Sequence, residues 1–131
     1  MTMINVDEGK YAITIQAMKK NEDEPSAMAN FLSESAIIKN QEGSLSLIIT
    51  LLDAKTITGF QVENQAGEQI HAFDKQLDEE ANTRDETFEI DQLTTSIVAR
   101  VQYEATYQGQ KIQGDEEIRL IFDEESLEKM N

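Results

Sequence analysis

The sequence predicts an all-β fold, a sandwich or barrel of about eight short strands with one short helix after the first strand. Three observations support this prediction. Apolar and polar residues alternate with a period of two along much of the chain, which is typical of half-buried strands. Short apolar runs recur at close intervals and are separated by residues that favour tight turns. The length of 131 residues fits a single domain with one core.

The opening strand is predicted from four alternating apolar residues, Tyr11, Ile13, Ile15 and Ala17. Residues 19–24 are polar and charged and form a loop. Pro25 then suits the first turn of a short helix. In this helix Met28, Phe31 and Leu32 have the i, i+3, i+4 spacing of one apolar face. A helix this short must be stabilised by packing, because a few turns alone are marginal in water.

The remaining strands are predicted from apolar runs that are separated by turn-forming segments. These strands are Ser35–Lys39, Ser44–Leu52, Ile57–Glu63, Gln69–Phe73, Thr87–Ile90, Ser96–Tyr107 and Gln110–Phe122. The turns between them include Gln41-Glu42-Gly43, Asn64-Gln65-Ala66-Gly67 and Gln108-Gly109, whose residues tolerate left-handed conformations. The acidic segment from Asp123 to Asn131 is predicted as one helical turn or a frayed linker.

The last two strands have a register that follows from their turn. If Gln108-Gly109 is a two-residue turn, Tyr107 lies opposite Gln110 and Tyr103 lies opposite Gly114. The inner, apolar face of the hairpin then carries Ile97, Ala99, Val101, Tyr103, Ala105, Tyr107, Ile112, Gly114, Glu116, Ile118, Leu120 and Phe122. The outer face carries charged and amide side chains. The apolar side of the hairpin therefore includes two tyrosines, a glycine and one carboxylate.

The composition excludes several classes of function. Twenty-six acidic residues against eleven basic residues give a net charge of -15, which would repel a nucleic-acid backbone. No apolar run reaches the roughly 18 residues of a membrane-spanning helix, so we expect no membrane insertion by this domain. The chain has no cysteine and one histidine, which excludes disulfides, Cys/His zinc sites and thiol nucleophiles. We therefore expect a binding module rather than an enzyme.

Several separated segments occur in the order found in a known family. They are GKYAI at 9–13, EPSAMANFL at 24–32, AIIKNQEG at 36–43, EANTR at 80–84, TFEID at 87–91 and IRLIFD at 118–123. Together they resemble the NEAT (near-iron-transporter) domain over residues 8–123. The resemblance implies an immunoglobulin-like β-sandwich on the surface of, or secreted by, Gram-positive bacteria. It also implies capture of haem (heme) or haemoproteins, and transfer of haem along an iron-acquisition relay.

The resemblance further implies a haem site between the short helix and the last hairpin. In the family, a serine of the helix hydrogen-bonds a haem propionate and apolar residues cover the ring; Ser26, Met28 and Phe31 occupy these places. The family's iron ligand is the first tyrosine of a Tyr-x-x-x-Tyr motif at the start of the last strand, and the second tyrosine hydrogen-bonds to it. Ile112 and Glu116 stand at these two positions here, so we expect the usual iron site to be absent.

Two alternative iron ligands are present, and each has a purely structural alternative. Tyr103 and Tyr107 have the Tyr-x-x-x-Tyr spacing one strand earlier, and a phenolate suits ferric iron. The thioether of Met28 suits softer ferrous iron. The predicted metal ligand is therefore Tyr107 or Met28. In the structural alternatives, the tyrosines only pack the hairpin, Met28 fills the core and Ser26 caps the helix.

The predicted organisation is an N-terminal arm over residues 1–8, a NEAT-like domain over residues 9–123 and an acidic tail or linker over residues 124–131. The chain start lacks the pattern of a secretory signal, and we expect an excised domain of a larger extracellular, cell wall-attached or secreted protein. The expected partners are haem or a haemoprotein, and other NEAT domains in a haem relay. Only Phe31 is aromatic at the helix, which disfavours capture of haemoglobin.

Two functions remain open for a NEAT-like domain, and a third interpretation is an immunoglobulin-like adhesin domain whose likeness to the family is coincidental. The first is a non-enzymatic haem-binding module with atypical or weak ligation, whose cleft is lined by Ser26, Met28, Phe31, Tyr103 and Tyr107. The second is a NEAT-fold protein-interaction or spacer module that does not bind haem. An oxygen or sulfur donor above an apolar cleft of the size of the ring would distinguish them.

Overall fold

The computed structural model describes residues 3–130, which form nine strands and one short 3-10 helix. The strands are β1 (Gly9–Lys19), β2 (Ser35–Gln41), β3 (Ser44–Leu52), β4 (Ile57–Glu63), β5 (Gln69–His71), β6 (Asp74–Asp78), β7 (Thr83–Ile90), β8 (Ser96–Tyr107) and β9 (Gln110–Met130). The helix, Ala27–Phe31, follows β1 as the sequence predicts. The all-β prediction is confirmed.

The strands pair antiparallel in one sheet that curls until its two ends approach each other. The strand order is β5-β4-β8-β9-β1-β2-β3-β7-β6. Just after β5, the N–H of Phe73 donates to the carbonyl of Thr87 in β7 at 2.9 Å. The curled sheet therefore encloses a single core between its two halves, an arrangement consistent with an immunoglobulin-like sandwich.

The core is built from the inward-facing residues of both halves of the sheet. In β1 the alternating residues Tyr11, Ile13, Ile15 and Ala17 are all buried, as their spacing predicts. Across the core, the rings of Phe60 in β4 and Phe88 in β7 have centroids 5.8 Å apart. This tilted aromatic pair joins the two halves of the sheet.

The β8–β9 hairpin has the register that the sequence predicts. Gln108 and Gly109 both have positive φ, at 50° and 78°, as in a type I′ turn. This turn matches the twist of antiparallel strands, so it sets the pairing of Tyr107 with Gln110 and of Tyr103 with Gly114. The predicted assignment of residues to the inner and outer faces of the hairpin is therefore confirmed.

The C-terminal segment differs from its prediction. β9 continues to Met130, so the predicted helical turn or frayed linker is wrong for residues 124–130. The pairing with β1 is interrupted by a bulge, because Thr14 pairs with Asp123 whereas Ala12 pairs with Glu128. At the bulge, the N–H of Thr14 donates to the Ser126 hydroxyl oxygen at 2.8 Å. A bulge of this kind breaks the period-two pattern by which the strand could have been recognised.

The N-terminal arm lies against the domain over the residues that the structure describes. Met3 forms an isolated bridge with Thr94, and the N–H of Ile4 donates to the carbonyl of Leu93 at 2.8 Å. The side chain of Ile4 is buried in the core. Residues 1 and 2 of the predicted arm, and residue 131 of the predicted tail, lie outside the described residues.

β6 is a strand that the sequence does not predict, and the neighbouring strands have other bounds than expected. Its residues are mainly Asp, Lys and Gln, which have low strand propensity, and all five are exposed. β6 forms by pairing with β7, which begins at Thr83 rather than Thr87. The preceding strand ends at His71 rather than Phe73. Pairing at the edge of the sheet therefore determines these bounds.

Candidate functional site

The β8–β9 hairpin extends beyond the core at one end of the sandwich. Along the inner face of β8, Ala99 and Val101 are buried, Tyr103 is partly buried and Tyr107 is 64% exposed. On β9, Ile112 is 45% exposed. The inner face lines the core at Ala99 and Val101 and then continues to the tip of the hairpin. At the tip it presents apolar and phenolic groups to solvent. We refer to this part, residues 103–116, as the distal hairpin.

Tyr103 marks the position at which the inner face changes from buried to exposed. It pairs with Gly114 of β9 on one side and with Ile57 of β4 on the other. A methyl group built on Gly114 would overlap the ring and hydroxyl of Tyr103, so the tyrosine side chain lies across the glycine. The absence of a side chain at Gly114 therefore makes room for the Tyr103 ring.

The two residues that the sequence resemblance assigns to the tyrosine positions lie on the same inner face. Ile112 is opposite Ala105, and Glu116 is opposite Val101. Both are exposed, and Gly114 lies between them on β9. The structure therefore brings Tyr103, Tyr107, Ile112 and Glu116 together on one face, as the predicted register requires.

The helix contributes Ser26, Met28 and Phe31 at the junction with β1. The hydroxyl oxygen of Ser26 accepts a hydrogen bond from the N–H of Met28 at 3.0 Å and caps the helix. Ser26 is 5% exposed, and Met28 is 6% exposed and belongs to the core. Phe31 is partly buried against the same core. The contacts seen for Ser26 and Met28 are thus those of the structural alternatives, a helix cap and a core residue.

A cavity of about 230 Å³ lies beside the helix on its β1 side. Its lining includes Ile15, Ala17, Ala29 and Leu32 but none of the predicted site residues. Pockets that enclose a drug-sized ligand usually measure about 300–1,000 Å³. This cavity is therefore too small to enclose a macrocycle, and no residue of the distal hairpin lines it.

The loop between β1 and the helix is attached to the outer face of β9 by Arg119. The guanidinium of Arg119 donates to three acceptors in this segment: the carbonyls of Lys19 at 3.0 Å and Glu22 at 2.8 Å, and the carboxylate of Asp23 at 3.1 Å. Sequence reasoning places Arg119 on the outer face but misses these contacts. Its partners are about a hundred residues away in the chain, and no local pattern signals them.

Further charged contacts hold the same loop. Lys20 forms an ion pair with Glu117, and this hydrogen bond lowers the pKa of Glu117, with a smaller contribution from Arg100. Lys19 and Glu24 are hydrogen-bonded at 2.9 Å. Their contact raises the pKa of Lys19 and lowers the pKa of Glu24. Since all these groups are well solvated, they fix the loop more than they stabilise the fold.

The donors available on the distal hairpin are few. Within residues 3–130, no group of three or more His, Cys, Asp or Glu side chains could hold a metal ion. The same residues include no helix long and apolar enough to cross a membrane. On the inner face, the donor atoms are the phenol oxygens of Tyr103 and Tyr107, the carboxylate of Glu116 and the side-chain amide oxygen of Gln110, which pairs with Tyr107.

Comparison with known proteins identifies the family. The model of the iron transport-associated domain, NEAT, matches residues 5–124. The chain belongs to the NEAT family. A relative, the hemin/hemoglobin-binding protein 2 of Listeria monocytogenes serovar 1/2a, is 32% identical over 122 residues, which are 93% of this chain and 21% of the relative. This NEAT domain therefore spans about a fifth of the length of that relative.

Two solved structures share the fold of this NEAT domain. The NEAT5 domain of IsdX2, a B. anthracis hemophore, in complex with heme has a TM-score of 0.75 and 24% identity, covering 89% of this chain and 97% of that chain. A mutant of IsdX2-NEAT5 in complex with heme has a TM-score of 0.76 and 24% identity, covering 90% and 97%. At this level of identity the likeness shows the fold, and it confirms the fold implied by the resemblance.

Proposed function

We propose that this NEAT domain is a non-enzymatic module that binds haem on the inner face of the distal hairpin. The observation that carries the proposal is the exposure of Tyr107 and Ile112 on the continuation of a face that is buried at Ala99, Val101 and Ile118. The name of the Listeria relative includes hemin and hemoglobin, and the two NEAT5 structures hold heme. These comparisons support haem as the ligand that covers the exposed face.

The residues of the distal hairpin fit a flat, mostly apolar ring. Ile112, Ala105 and the ring of Tyr103 offer apolar area that a macrocycle would remove from water. Bound haem would supply a ferric centre that accepts an axial donor, and a phenolate is a hard anionic donor suited to it. The inner face therefore combines apolar contact area with candidate axial donors.

We infer that Tyr107, rather than Met28, is the axial ligand. Tyr107 is 64% exposed near the tip of the hairpin, whereas Met28 is 6% exposed within the core. A thioether at Met28 would have to leave the core before it could reach a ligand, and this would cost burial energy. Ligation through Tyr107 is atypical for the family, since Ile112 and Glu116 occupy its usual tyrosine positions. We expect it to be weak because the donor lies on an exposed, solvated end of the strand.

A haemin titration followed at the Soret band tests the proposal. We expect saturable binding by the unmodified protein, and we expect Tyr107→Phe to lower the affinity and shift the band, because the phenol oxygen is lost. Tyr103→Phe and Met28→Leu are measured in parallel. A change confined to Met28→Leu would instead assign the thioether as ligand.

Leu77→Ala is the matched control for this titration. Leu77 is an exposed apolar residue on β6, an edge strand that pairs with β7 and with neither strand of the β8–β9 hairpin. Its loss should leave the Soret band unchanged. Absence of saturable binding by the unmodified protein would contradict haem binding. That result would favour the second candidate, an interaction or spacer module. The presence of Ile112 and Glu116 at the expected tyrosine positions also supports this second candidate.

The proposal extends to location and partners. We propose an extracellular module, attached to the cell wall or secreted, within a longer polypeptide that supplies further domains; the Listeria relative, which this chain spans only in part, supports this view. Haem would then pass to or from other NEAT domains or a haemoprotein. Because Phe31 is the one aromatic residue of the helix, haem released by other proteins is a better candidate ligand than haemoglobin itself.

A further inference from the structure

The side chain of Tyr103 is oriented by its cross-strand neighbour rather than by its hydroxyl group. In the hairpin register Tyr103 lies opposite Gly114, and its ring and oxygen occupy the space that a β-carbon on Gly114 would need. Among residues 3–130, the Tyr103 hydroxyl forms no hydrogen bond. The ring is partly buried against the core. Packing over the glycine therefore fixes the orientation of the ring.

This orientation determines what Tyr103 can contribute to a ligand. Its oxygen lies over the backbone of Gly114, close to the surface of the sheet, instead of projecting away from it. A donor that reaches a metal centre above the sheet must project outwards, so the phenol of Tyr103 is poorly placed for this role. The ring, by contrast, lies on the same face of the hairpin as the exposed side chains of Tyr107 and Ile112. It offers aromatic contact area where the ligand would lie.

We propose that Tyr103, held in place by Gly114, is a stacking platform for the porphyrin macrocycle, and that the site therefore binds planar tetrapyrroles with or without iron. The proposal rests on the proposed function and adds the class of ligand. Stacking recognises the flat ring, whatever its centre, and aromatic rings favour offset stacking with other ring systems. Tyr107 contributes only to the iron-containing ligand, whereas Tyr103 and Gly114 contribute to both ligands.

The test compares haemin with metal-free protoporphyrin IX on the full 131-residue chain. Binding is followed by absorbance for haemin and by fluorescence for protoporphyrin. We expect the unmodified protein to bind both, with the protoporphyrin affinity within about tenfold of the haemin affinity, since ligation at an exposed tyrosine is weak. Tyr103→Leu should weaken both ligands by about tenfold, the scale of one lost stacking contact. Tyr103→Phe keeps the ring and should retain most of the affinity for both.

Gly114→Ala tests the positioning of the ring, with Gly59→Ala as its matched control. The added methyl group at Gly114 must displace the Tyr103 ring, and we expect both ligands to bind several-fold more weakly. Gly59 lies opposite Gln102 on the outer face, where an added methyl group would equally displace a side chain, though away from the site. Gly59→Ala should leave both affinities unchanged. Near-UV circular dichroism and thermal melting confirm that each variant is folded; if Gly114→Ala is not, the Tyr103 pair decides the question.

The possible results separate this inference from the proposed function. If Tyr103→Phe abolishes haemin binding and spares protoporphyrin, Tyr103 is an iron ligand and the platform is wrong. If Tyr103→Leu binds both ligands as the unmodified protein does, the platform is also wrong, while haem binding stands. If the unmodified protein binds haemin and not protoporphyrin, recognition depends on iron and the inference fails. If it binds neither, the proposed function itself is wrong.

Discussion

The two faces of the β8–β9 hairpin come from the same two strands and have opposite chemistry. On the outer face, Arg100 forms ion pairs with Asp115 at 3.2 Å and Glu117 at 2.9 Å, and Lys111 pairs with Glu104 at 3.1 Å. The inner-face side chains that the structure describes form no ion pair. Charged cross-strand contacts on one side thus accompany exposed apolar and phenolic groups on the other.

The difference shows how a hairpin can leave the core and still present a defined surface. Beyond Val101 the inner-face residues of β8 are only partly buried or exposed, so burial holds the strands together less strongly there. Cross-strand pairs on the outer face each contribute a little to the pairing, and the type I′ turn fixes the register. The outer face therefore supports the distal hairpin, and the inner face is left free for a ligand.

The largest expected effect is on the free energy of unfolding, and it contrasts a buried with an exposed inner-face residue of β9. Leu120 is fully buried and Ile112 is 45% exposed. Leu120→Ala should lower the free energy of unfolding by about 3 kcal/mol, because it leaves a cavity in the core. Ile112→Ala should change it by less than about 0.5 kcal/mol. Urea unfolding of the two variants measures the difference; similar costs would show that the distal hairpin belongs to the core.

A somewhat smaller effect on the free energy of unfolding is expected when an ion pair inside the sandwich is broken. Breaking an ion pair on the outer face of the hairpin should cost less. The Nε of Arg84 lies 2.7 Å from the carboxylate of fully buried Glu86, and its NH2 group donates to the carbonyl of Ile57 at 2.9 Å. Arg84→Met leaves a buried carboxylate without its partner; because the Arg84 side chain is itself 16% exposed, the change should cost about 2 kcal/mol in the free energy of unfolding, the scale of a buried polar group left unpaired. Lys111→Gln removes only a solvated pair and should cost less than about 0.5 kcal/mol.

Thermal or urea unfolding of these two variants decides whether the contrast holds. Arg84 also joins β7 to the start of β4, which pairs with Tyr103, so its loss should disturb the base of the distal hairpin. An Arg84→Met variant as stable as the unmodified protein would mean that Glu86 finds other partners or becomes neutral. In that case, the contribution of an ion pair to the free energy of unfolding would not depend on whether the pair lies inside or outside the sandwich.

The sequence predicts the hairpin faces well, because two local signals determine them. Alternation assigns each residue to a face, and Gln108-Gly109 sets the register, so Tyr103, Tyr107, Ile112 and Glu116 share one side as expected. The extension of β9 is missed because a bulge near Ser126 interrupts the alternation.

The contacts of individual side chains in the predicted site could not be predicted from the sequence, because the same side chain can bind a ligand or stabilise the fold. Ser26 and Met28 are predicted as ligand-binding residues from the resemblance, yet the Ser26 hydroxyl caps the helix and the Met28 side chain is buried in the core. The contacts of Arg119 and the orientation of Tyr103 depend on residues brought close only by the fold. Patterns along the chain assign residues to faces, but the contacts of each side chain follow from tertiary packing.

A modest, local effect is expected from Arg119, which attaches the loop before the helix to the outer face. Arg119→Gln removes most of the contacts with the Lys19 and Glu22 carbonyls and should cost about 1 kcal/mol. Hydrogen exchange should accelerate in residues 20–24 while β8 is unaffected. Arg119→Lys should be intermediate, since an ammonium cannot reproduce the planar fork. Equal acceleration in both regions would show that Arg119 stabilises the whole sheet instead of the loop.

The smallest expected effect is on the pKa of Glu117, whose carboxylate accepts a hydrogen bond from Lys20. The hydrogen bond from Lys20 lowers the pKa of Glu117 below its ordinary value of 4.5. Because the pKa in the folded state is the lower one, the contact stabilises the loop above pH 4.5 and is lost as the pH falls through the folded value. A carbon-13 NMR titration of the Glu117 carboxyl should therefore show a midpoint below 4.5 that rises in Lys20→Gln. An unchanged midpoint in that variant would mean that Arg100 alone holds the carboxylate, and that the outer-face contacts do not extend to the loop.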